Sequence, residues 1–341
     1  MKQWHPSVKK GKEVSGMYSA RKYWILCMVL PLALSLAQAV AAQEKFPGKP
    51  VRMVITHAAG GSVDLPGRAM ALTMQKYLKV PVMCENMLGG GGRKAMEYVF
   101  GQAKPDGYTI VASAFPSRLI GELVYKPKYK MKEFIHLGSW VGGDFRTIFV
   151  AKDSPFKDFK QVIEESKKRK INVGGGGGLG STSQLQIVYL KELVKLNLNF
   201  VPFDSDAEVA AAVLGKHVDI GTGPLSGAIR VYKSGDTRIL AVHSPKRIKE
   251  IPEIQTMKEL GFDGVVIPYG VGAWAPPKTP KERVKILSDA IMTSCKDPEF
   301  IKWAEKSSTM LDPMGPEEFY QVTLEDYKNI EKVLPLLMQE K

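Results

Sequence analysis

The stretch KPVRMVITHAAGGSVDLPGRAMALTMQK at residues 49–76 decides the fold. Val51–Ile55 is a short apolar run with β-branched residues, which predicts a buried strand. A turn containing Gly60 and Gly61 follows. Asp64 and Pro66 then favour a helix start, because Asp is a common N-cap and Pro is tolerated in the first turn of a helix. The next apolar side chains fall on one helical face: Met70, Met74, Tyr77 and Leu78.

A strand, a glycine turn and a helix in this order form an anion site in many proteins. The turn exposes several backbone N–H groups beside the positive end of the helix dipole. The same order is also an ordinary connection in any α/β protein. The local pattern alone therefore leaves both interpretations open.

The unit recurs at 171–196, where a strand leads into the glycine run 174–180 and then into a long helix. Strands and helices alternate along most of the chain, which predicts parallel sheets with ligand loops at the carboxyl ends of the strands. We expect an α/β fold of two Rossmann-like lobes with a ligand cleft between them. Lobe 1 would comprise residues 43–148 and 268–341, and lobe 2 residues 149–267, joined by two extended crossings.

Residues 1–41 have the pattern of a secretory signal peptide. Basic residues precede a mostly apolar stretch at 23–36, and small residues favour cleavage near Ala41 or Ala42. A retained membrane anchor is the alternative. Removing the six basic residues and one acidic residue of this leader lowers the formal net charge from +13 to +8. We expect export to the periplasm and a surface that favours anionic ligands.

Composition argues against several other classes of protein. Hydrophobic residues make up 44% of the 341, enough for a substantial core. The basic residues are scattered, so no nucleic-acid partner is predicted. No Cys/His cluster has metal-ligand spacing, and we predict neither metal nor cofactor. Cys84 and Cys295 remain after the leader, and the sequence leaves open whether they form a disulfide.

The glycine run at 174–180 allows two nucleotide interpretations. It nearly matches a phosphate loop, but Ser181 stands where the phosphate-binding lysine is required. Gly175, Gly177 and Gly180 also satisfy the dinucleotide fingerprint, with Asp204 after the next strand. A dinucleotide-binding oxidoreductase is therefore the alternative enzyme hypothesis. The leader argues against it, because nicotinamide cofactors are not expected free in the periplasm.

No catalytic constellation emerges from the remaining polar residues. A Gly-x-Ser-x-Gly elbow is absent from the sequence, and the histidines lack triad spacing. Ser181 and its neighbours Thr182 and Ser183 suit a helix cap and also a carboxylate site. A bidentate arginine clamp is another option, and the sequence does not say which of four candidates faces inward: Arg68, Arg93, Arg118 and Arg146. We predict a binding protein and no enzyme.

Several short motifs together carry a family resemblance. They are 46–52 (FPGKPVR), 59–64 (AGGSVD), 85–86 (EN), 104–108 (KPDGY), 178–182 (GLGST), 201–203 (VPF), 215–219 (GKHVD) and 275–280 (APPKTP). In combination and in this order they resemble the tripartite tricarboxylate transporter receptors (TctC type, Bug family). The match covers nearly all of the chain after the leader.

The resemblance implies a periplasmic solute-binding receptor of the type II-like binding-protein fold, closing as a Venus flytrap. It implies a monomer that delivers a small carboxylate, such as an aromatic or amphipathic organic acid, to the large and small membrane subunits of a tripartite transporter. A periplasmic ligand sensor with a signalling partner is the alternative. In that family the two glycine loops hold the carboxylate, which here implies Ala59, Gly60, Gly61, Ser62, Asp64, Gly180, Ser181 and Thr182.

The chain departs from the family pattern at both loops. Thr56-His57 replaces the usual Pro-Phe, and Asp204-Ser205-Asp206 stands where Lys-Gly is usual. Lost positive and added negative charge favour a monoanionic or amphipathic acid over a tricarboxylate. Tyr269 stands near a usual Trp. The remaining candidate ligand-binding residues are His57, Ser113, Phe203, Asp204 and Tyr269.

Overall fold

A computed structural model describes residues 1–3, 45–262 and 268–339. Almost all of the predicted leader, its cleavage site near Ala41 or Ala42, and part of the second predicted crossing lie outside the described residues. Lys49–Lys341 form one compact unit, and Met1–Gly48 form another.

Strands and helices alternate through the first two-thirds of the compact unit. The strands are β1 Val51–Ile55, β2 Val82–Asn86, β3 Thr109–Phe115, β4 Ile135–Ala151, β5 Ile171–Gly175, β6 Leu198–Pro202, β7 Ile220–Pro224, β8 Thr237–Val242, β9 Pro268–Ala275 and β10 Leu311–Met314. The helices are α1 Asp64–Leu78, α2 Arg93–Gly101, α3 Ser117–Tyr125, α4 Phe159–Ser166, α5 Thr182–Val194, α6 Asp206–Leu214, α7 Leu225–Lys233, α8 Lys281–Ser294, α9 Pro298–Ser307 and α10 Pro316–Gln339. Gly90–Gly92 and Met131–Glu133 are short 3₁₀ turns.

One long strand connects two parallel half-sheets. The first half-sheet runs β2-β1-β3, with β9 antiparallel to β3, and the second runs β6-β5-β7. β4 pairs antiparallel with β9 along its first part, and along its second part it pairs with β7 on one edge and with β8 on the other, so it belongs to both half-sheets. The expected crossing strand is therefore present. The ligand loops of both halves leave the carboxyl ends of their parallel strands.

The C-terminal helices pack back on the first half-sheet, as expected. Trp274 of β9 packs on Phe319 of α10, with ring centroids 4.9 Å apart. Lys76 of α1 pairs with Asp297, whose side chain caps α9 by accepting the Glu299 N–H. Apolar burial across β9 and α10 is the main stabilising term here, since Trp274 and Phe319 are fully buried.

The structure differs from the sequence prediction in several places. Helix α3 and strand β10 were not predicted, and β4 begins at Ile135, well before the predicted lobe boundary between 148 and 149. Asp64 does begin helix α1, but it is not the N-cap. The cap position is Val63, without a side-chain hydrogen bond.

No helix within the described residues is long and apolar enough to cross a membrane. In the same part of the chain, no group of three or more His, Cys, Asp or Glu residues could hold a metal ion. The thiols of Cys84 and Cys295 are not joined in a disulfide. Burial raises the pKa of Cys84 to about 11 and that of Cys295 to about 12.

Candidate functional site

Loops from the two half-sheets face each other across a narrow crevice. A Cβ placed on Gly91 would lie 2.6 Å from the carbonyl oxygen of Gly177, so the turn at residues 89–92, called the second glycine turn here, lies directly against the run 174–180, the third. The Thr182 N–H donates to the Ser117 hydroxyl at 3.2 Å across the same gap. The Arg93 guanidinium donates to the Leu179 carbonyl at 3.3 Å. These contacts bring loops of the first and the second half-sheet together.

Asp64 organises the loop after β1. Its carboxylate accepts the Gly60 N–H at 2.9 Å, the Asn86 side-chain amide at 2.7 Å and the Arg68 Nε–H at 2.9 Å. The Gly61 N–H donates to the carbonyl of Ala58. Asp64 is 2% exposed, and its oxygens are occupied by the loop. Asp64 therefore stabilises the conformation of the loop that forms the site.

The glycine run after β5 is held in a similar way by its own half. The Gly178 N–H donates to the Phe203 carbonyl at 3.0 Å, and the Gly180 N–H donates to the Gln184 side chain at 2.7 Å. Ser181 caps α5 by accepting the Gln184 N–H, as predicted. These bonds fix the loop before any ligand arrives.

Some loop amides in the crevice donate within the protein and others do not. Gly60, Gly61, Gly178 and Gly180 use their N–H groups internally. Within the loops 56–63 and 176–181, six buried residues have N–H groups with no acceptor among the described residues: His57, Ser62, Val63, Gly176, Gly177 and Ser181. Buried amides are rarely left unpaired, so these six are the amides best placed for a ligand anion.

A chain of hydroxyls supports His57 on the floor of the crevice. Ser113 Oγ lies 2.7 Å from Thr56 Oγ1, which lies 2.8 Å from His57 Nδ1. Burial lowers the pKa of His57 to about 3, and the positive charge of Arg118 adds to the effect. The imidazole is therefore neutral near pH 7. Its Nε2 faces the loop at Gly177 from the opposite half.

Ser62 joins the two halves on the other side of His57. Its hydroxyl donates to Asp206, the first residue of α6, and lies 2.8 Å from the Tyr269 hydroxyl. Asp206 experiences the positive charges of Arg146 and Arg230. Arg146 also donates to the Ser183 hydroxyl. The negative charge of the Asp206 carboxylate is therefore offset by two arginines.

The positive charge of Arg118 is not paired with a carboxylate of the described residues. Arg118 stands in the first turn of α3 and is 1% exposed, and its Nε and Nη2 atoms have no hydrogen-bond partner among the described residues. Its guanidinium packs against Gly92, where a Cβ would overlap it and would lie 3.0 Å from the Cβ of Thr56. Burial lowers the pKa of Arg118 below its usual range, and neighbouring Arg93 adds to this.

The candidate residues are distributed unevenly around the crevice. Those lining it, by burial and contact, are His57, Ser62, Ser113, Gly180, Ser181, Thr182 and Tyr269. Ala59 and Gly60 form an exposed loop tip, while Gly61 is buried against Ser205.

Two candidates lie elsewhere. The Phe203 ring packs into the core of the second half, and Asp204 is exposed. The sequence did not single out Asp206 as the acid that meets the first loop, nor Arg118 among the four arginines. The available signal for Asp206 was its place directly after Ser205, which caps α6.

Residues 67–332 match the family model described as "Tripartite tricarboxylate transporter family receptor". The chain belongs to this family. Receptors of this family are periplasmic, bind small carboxylates and work with tripartite transporters. As a family the receptors are generally non-enzymatic.

Individual relatives agree with this membership of the tripartite tricarboxylate transporter receptor family. The chain is 29% identical to a UPF0065 protein encoded in the gbd 5′ region of Cupriavidus necator, over 90% of this chain and 93% of that protein. The structure of the periplasmic binding protein BugD superposes with a TM-score of 0.79 at 28% identity, covering 86% of this chain and 98% of BugD.

A more distant structure shows the same fold. MatC of Rhodopseudomonas palustris, solved with bound malate, gives a TM-score of 0.78 at 23% identity, covering 85% of this chain and all of MatC. The receptor described here therefore has the mixed α/β fold of the periplasmic binding proteins.

Proposed function

We propose that this receptor is a periplasmic, monomeric protein that captures a small carboxylate in the crevice and delivers it to the two membrane subunits of a tripartite transporter. The proposal is carried by one observation. Loops from the carboxyl ends of both parallel half-sheets meet there, and six of their buried residues have amides without an acceptor among the described residues. Capture would stabilise the closed arrangement, since the ligand contacts both halves.

The strength of such a site fits a receptor. Each charge-assisted N–H bond to a carboxylate contributes roughly 1.5–3 kcal/mol. Three such bonds contribute roughly 4.5–9 kcal/mol before the cost of association, so van der Waals contacts with the ligand must supply part of the roughly −8 kcal/mol of micromolar binding. Binding at such a site needs no chemical step on the ligand. Family membership and the malate-bound relative support a carboxylate ligand, and the leader pattern supports export.

The test is a thermal-shift screen of the purified protein against aliphatic and aromatic mono- and dicarboxylates. Each acid is paired with its fully amidated counterpart, which keeps size and shape but lacks charge. We expect at least one acid to raise the unfolding midpoint and its amide not to. A ligand at 100 times its Kd adds about 2.7 kcal/mol, which such an assay resolves. If no acid in the panel shifts the midpoint, the carboxylate assignment is wrong.

Delivery is tested separately from capture. Proteoliposomes carrying the large and small membrane subunits should take up the bound acid only when the loaded receptor is added. Uptake that is the same without the receptor would contradict the transport role and favour the sensor alternative.

A further inference from the structure

We propose that Arg118 is the ligand-binding cation of this receptor, and that the preferred ligand carries a second acidic group that reaches it. This inference rests on the proposed function and adds the charge class of the ligand. The observation behind it is a fully buried guanidinium at the edge of the crevice whose Nε and Nη2 have no acceptor among the described residues.

The position of Arg118 is set by the first turn of α3. The preceding residue, Ser117, contacts Thr182 of the opposite half, so this turn lies at the junction of the halves. The Arg118 guanidinium occupies the space above Gly92, whose φ of +86° and missing Cβ make room for it. It lies close enough to His57 for its positive charge to oppose protonation of the imidazole.

The electrostatic surroundings of Arg118 differ from those of the other buried arginine. Arg146 has the Ser183 hydroxyl as an acceptor and lies within the field of two acids, Asp206 and Asp144. The charged and titratable neighbours of Arg118 are Arg93, His57 and two phenols, Tyr129 and Tyr269. No carboxylate among the described residues forms an ion pair with Arg118.

A buried, unpaired charge is strongly unfavourable and is normally paired with an anion. The guanidinium offers two N–H groups to a planar acid, which is the geometry of bidentate carboxylate recognition. The six unpaired loop amides provide a second acid site that lies in the same crevice. A ligand with acids at both ends would satisfy both, whereas a monoacid would leave one of them unpaired. The sequence favoured a monoanionic ligand because Asp204 and Asp206 add negative charge. That expectation did not include the positive charge of Arg118.

The experiment compares α,ω-dicarboxylates of four to eight carbons with their half-amides, by calorimetry on the wild type and on Arg118→Gln. We expect the best diacid to bind the wild type about 30-fold or more tighter than its half-amide, the range of a charged hydrogen-bonded pair. In Arg118→Gln this preference should fall to about threefold or less, with part of it retained in Arg118→Lys.

Arg247→Gln is the matched control, because Arg247 forms an exposed pair with Glu259. It should leave both affinities unchanged. The ligand-free unfolding midpoint of Arg118→Gln should not fall, as it would if the arginine were structural.

The outcomes separate the two proposals. A wild-type protein that binds diacids and half-amides equally well overturns the role of Arg118 and leaves carboxylate capture standing. Retention of the full preference in a folded Arg118→Gln protein overturns it as well. A protein that binds no acid at all overturns both.

Discussion

One helix start decides which acidic side chain enters the crevice. Ser205 caps α6, so Asp206 is its first residue and faces Ser62, while Asp204 precedes the cap and is exposed. Two residues of difference in sequence therefore separate a surface charge from an interlobe contact. The sequence showed both acids but not their direction, because that depends on where the helix begins.

His57 makes the stability of the protein depend on pH in a defined direction. Its pKa is lowered by burial to about 3, whereas an unperturbed histidine has a pKa of about 6.5. Below about pH 6.5 the unfolded chain takes up a proton that the folded protein does not, so acid favours unfolding. Above that pH both states carry neutral imidazole and the contribution vanishes.

We therefore predict that replacing His57 removes one component of acid sensitivity. Between pH 7 and pH 5 the unfolding free energy of the wild type should fall by about 2 kcal/mol more than that of His57→Asn. Denaturant titration of both proteins at several pH values measures the difference. Asp144, whose pKa burial raises to about 6, is present in both proteins and cancels from the comparison. A difference that stays constant with pH would contradict a buried neutral His57.

At the scale of elements, the sequence predicted what local signals determine. Strand β1 matches its predicted bounds, and the glycine turns at 60–61 and 174–180 appear between the expected strands and helices. Helix α3 was not predicted because Pro116 lies directly before it and Gly121 interrupts its apolar helical pattern. Burial of Leu119, Ile120 and Val124 in the hydrophobic core beside the first half-sheet stabilises the helix despite these residues. Missing this helix left the direction of Arg118 undetermined.

The sequence also did not predict the pairing of β10 with a strand far away in the chain. β10 is four residues long and contains Pro313, so its own pattern does not indicate a strand. It pairs with β4 across about 170 residues of sequence, at Leu311–Val141 and Met314–Ser139. Such pairing depends on the whole fold, and no local periodicity encodes it.

The contact between the second and third glycine turns yields a test of closure. An alanine at Gly91 would place its Cβ 2.6 Å from the Gly177 carbonyl oxygen, so the halves could not approach as closely. We predict that Gly91→Ala weakens ligand binding at least about tenfold, a loss of about 1.4 kcal/mol in favour of the open form. Calorimetry gives the affinity, and small-angle scattering gives the compaction on ligand addition.

Gly235→Ala is the matched control for this variant. Gly235 has a φ of +85°, similar in strain to the +61° of Gly91, but a Cβ there meets nothing within 4 Å. Both variants should lose similar folding stability, of the order of 1 kcal/mol for a left-handed alanine. Equal losses of ligand affinity in the two would show that backbone strain, and not closure, explains the effect.

At the scale of the whole molecule, β4 is the structural link between the halves. It pairs with β9 up to Phe145 and with β7 from Arg146 onward, and its register with β9 shifts between Val141 and Asp144. Gly143 lies in that interval with a φ of +59°, and a Cβ added there would meet nothing within 4 Å. A strand with broken register and a left-handed glycine can bend there, so we predict that the hinge between the halves lies at Gly142 and Gly143.

Closure about this hinge can be trapped covalently. Ser117 Oγ and Thr182 Oγ1 lie 3.3 Å apart across the crevice, so Ser117→Cys with Thr182→Cys brings two thiols together only when the halves are closed. We predict that a bound carboxylate accelerates formation of this disulfide under mild oxidation, since ligand favours the closed state. The native Cys84 and Cys295 can stay, because burial raises the pKa of both thiols and keeps them protonated and unreactive.

The oxidised double variant should also retain its ligand through dialysis and release it when a reductant is added, as measured by mass spectrometry of the dialysed protein. Each single-cysteine variant provides the control, since neither can bridge the crevice. Cross-linking at one rate with and without ligand, together with equal ligand loss from oxidised and reduced protein, would mean that the halves do not close around the acid. A positive result would link the hinge in β4, the meeting of the glycine turns and capture of the carboxylate as parts of one motion.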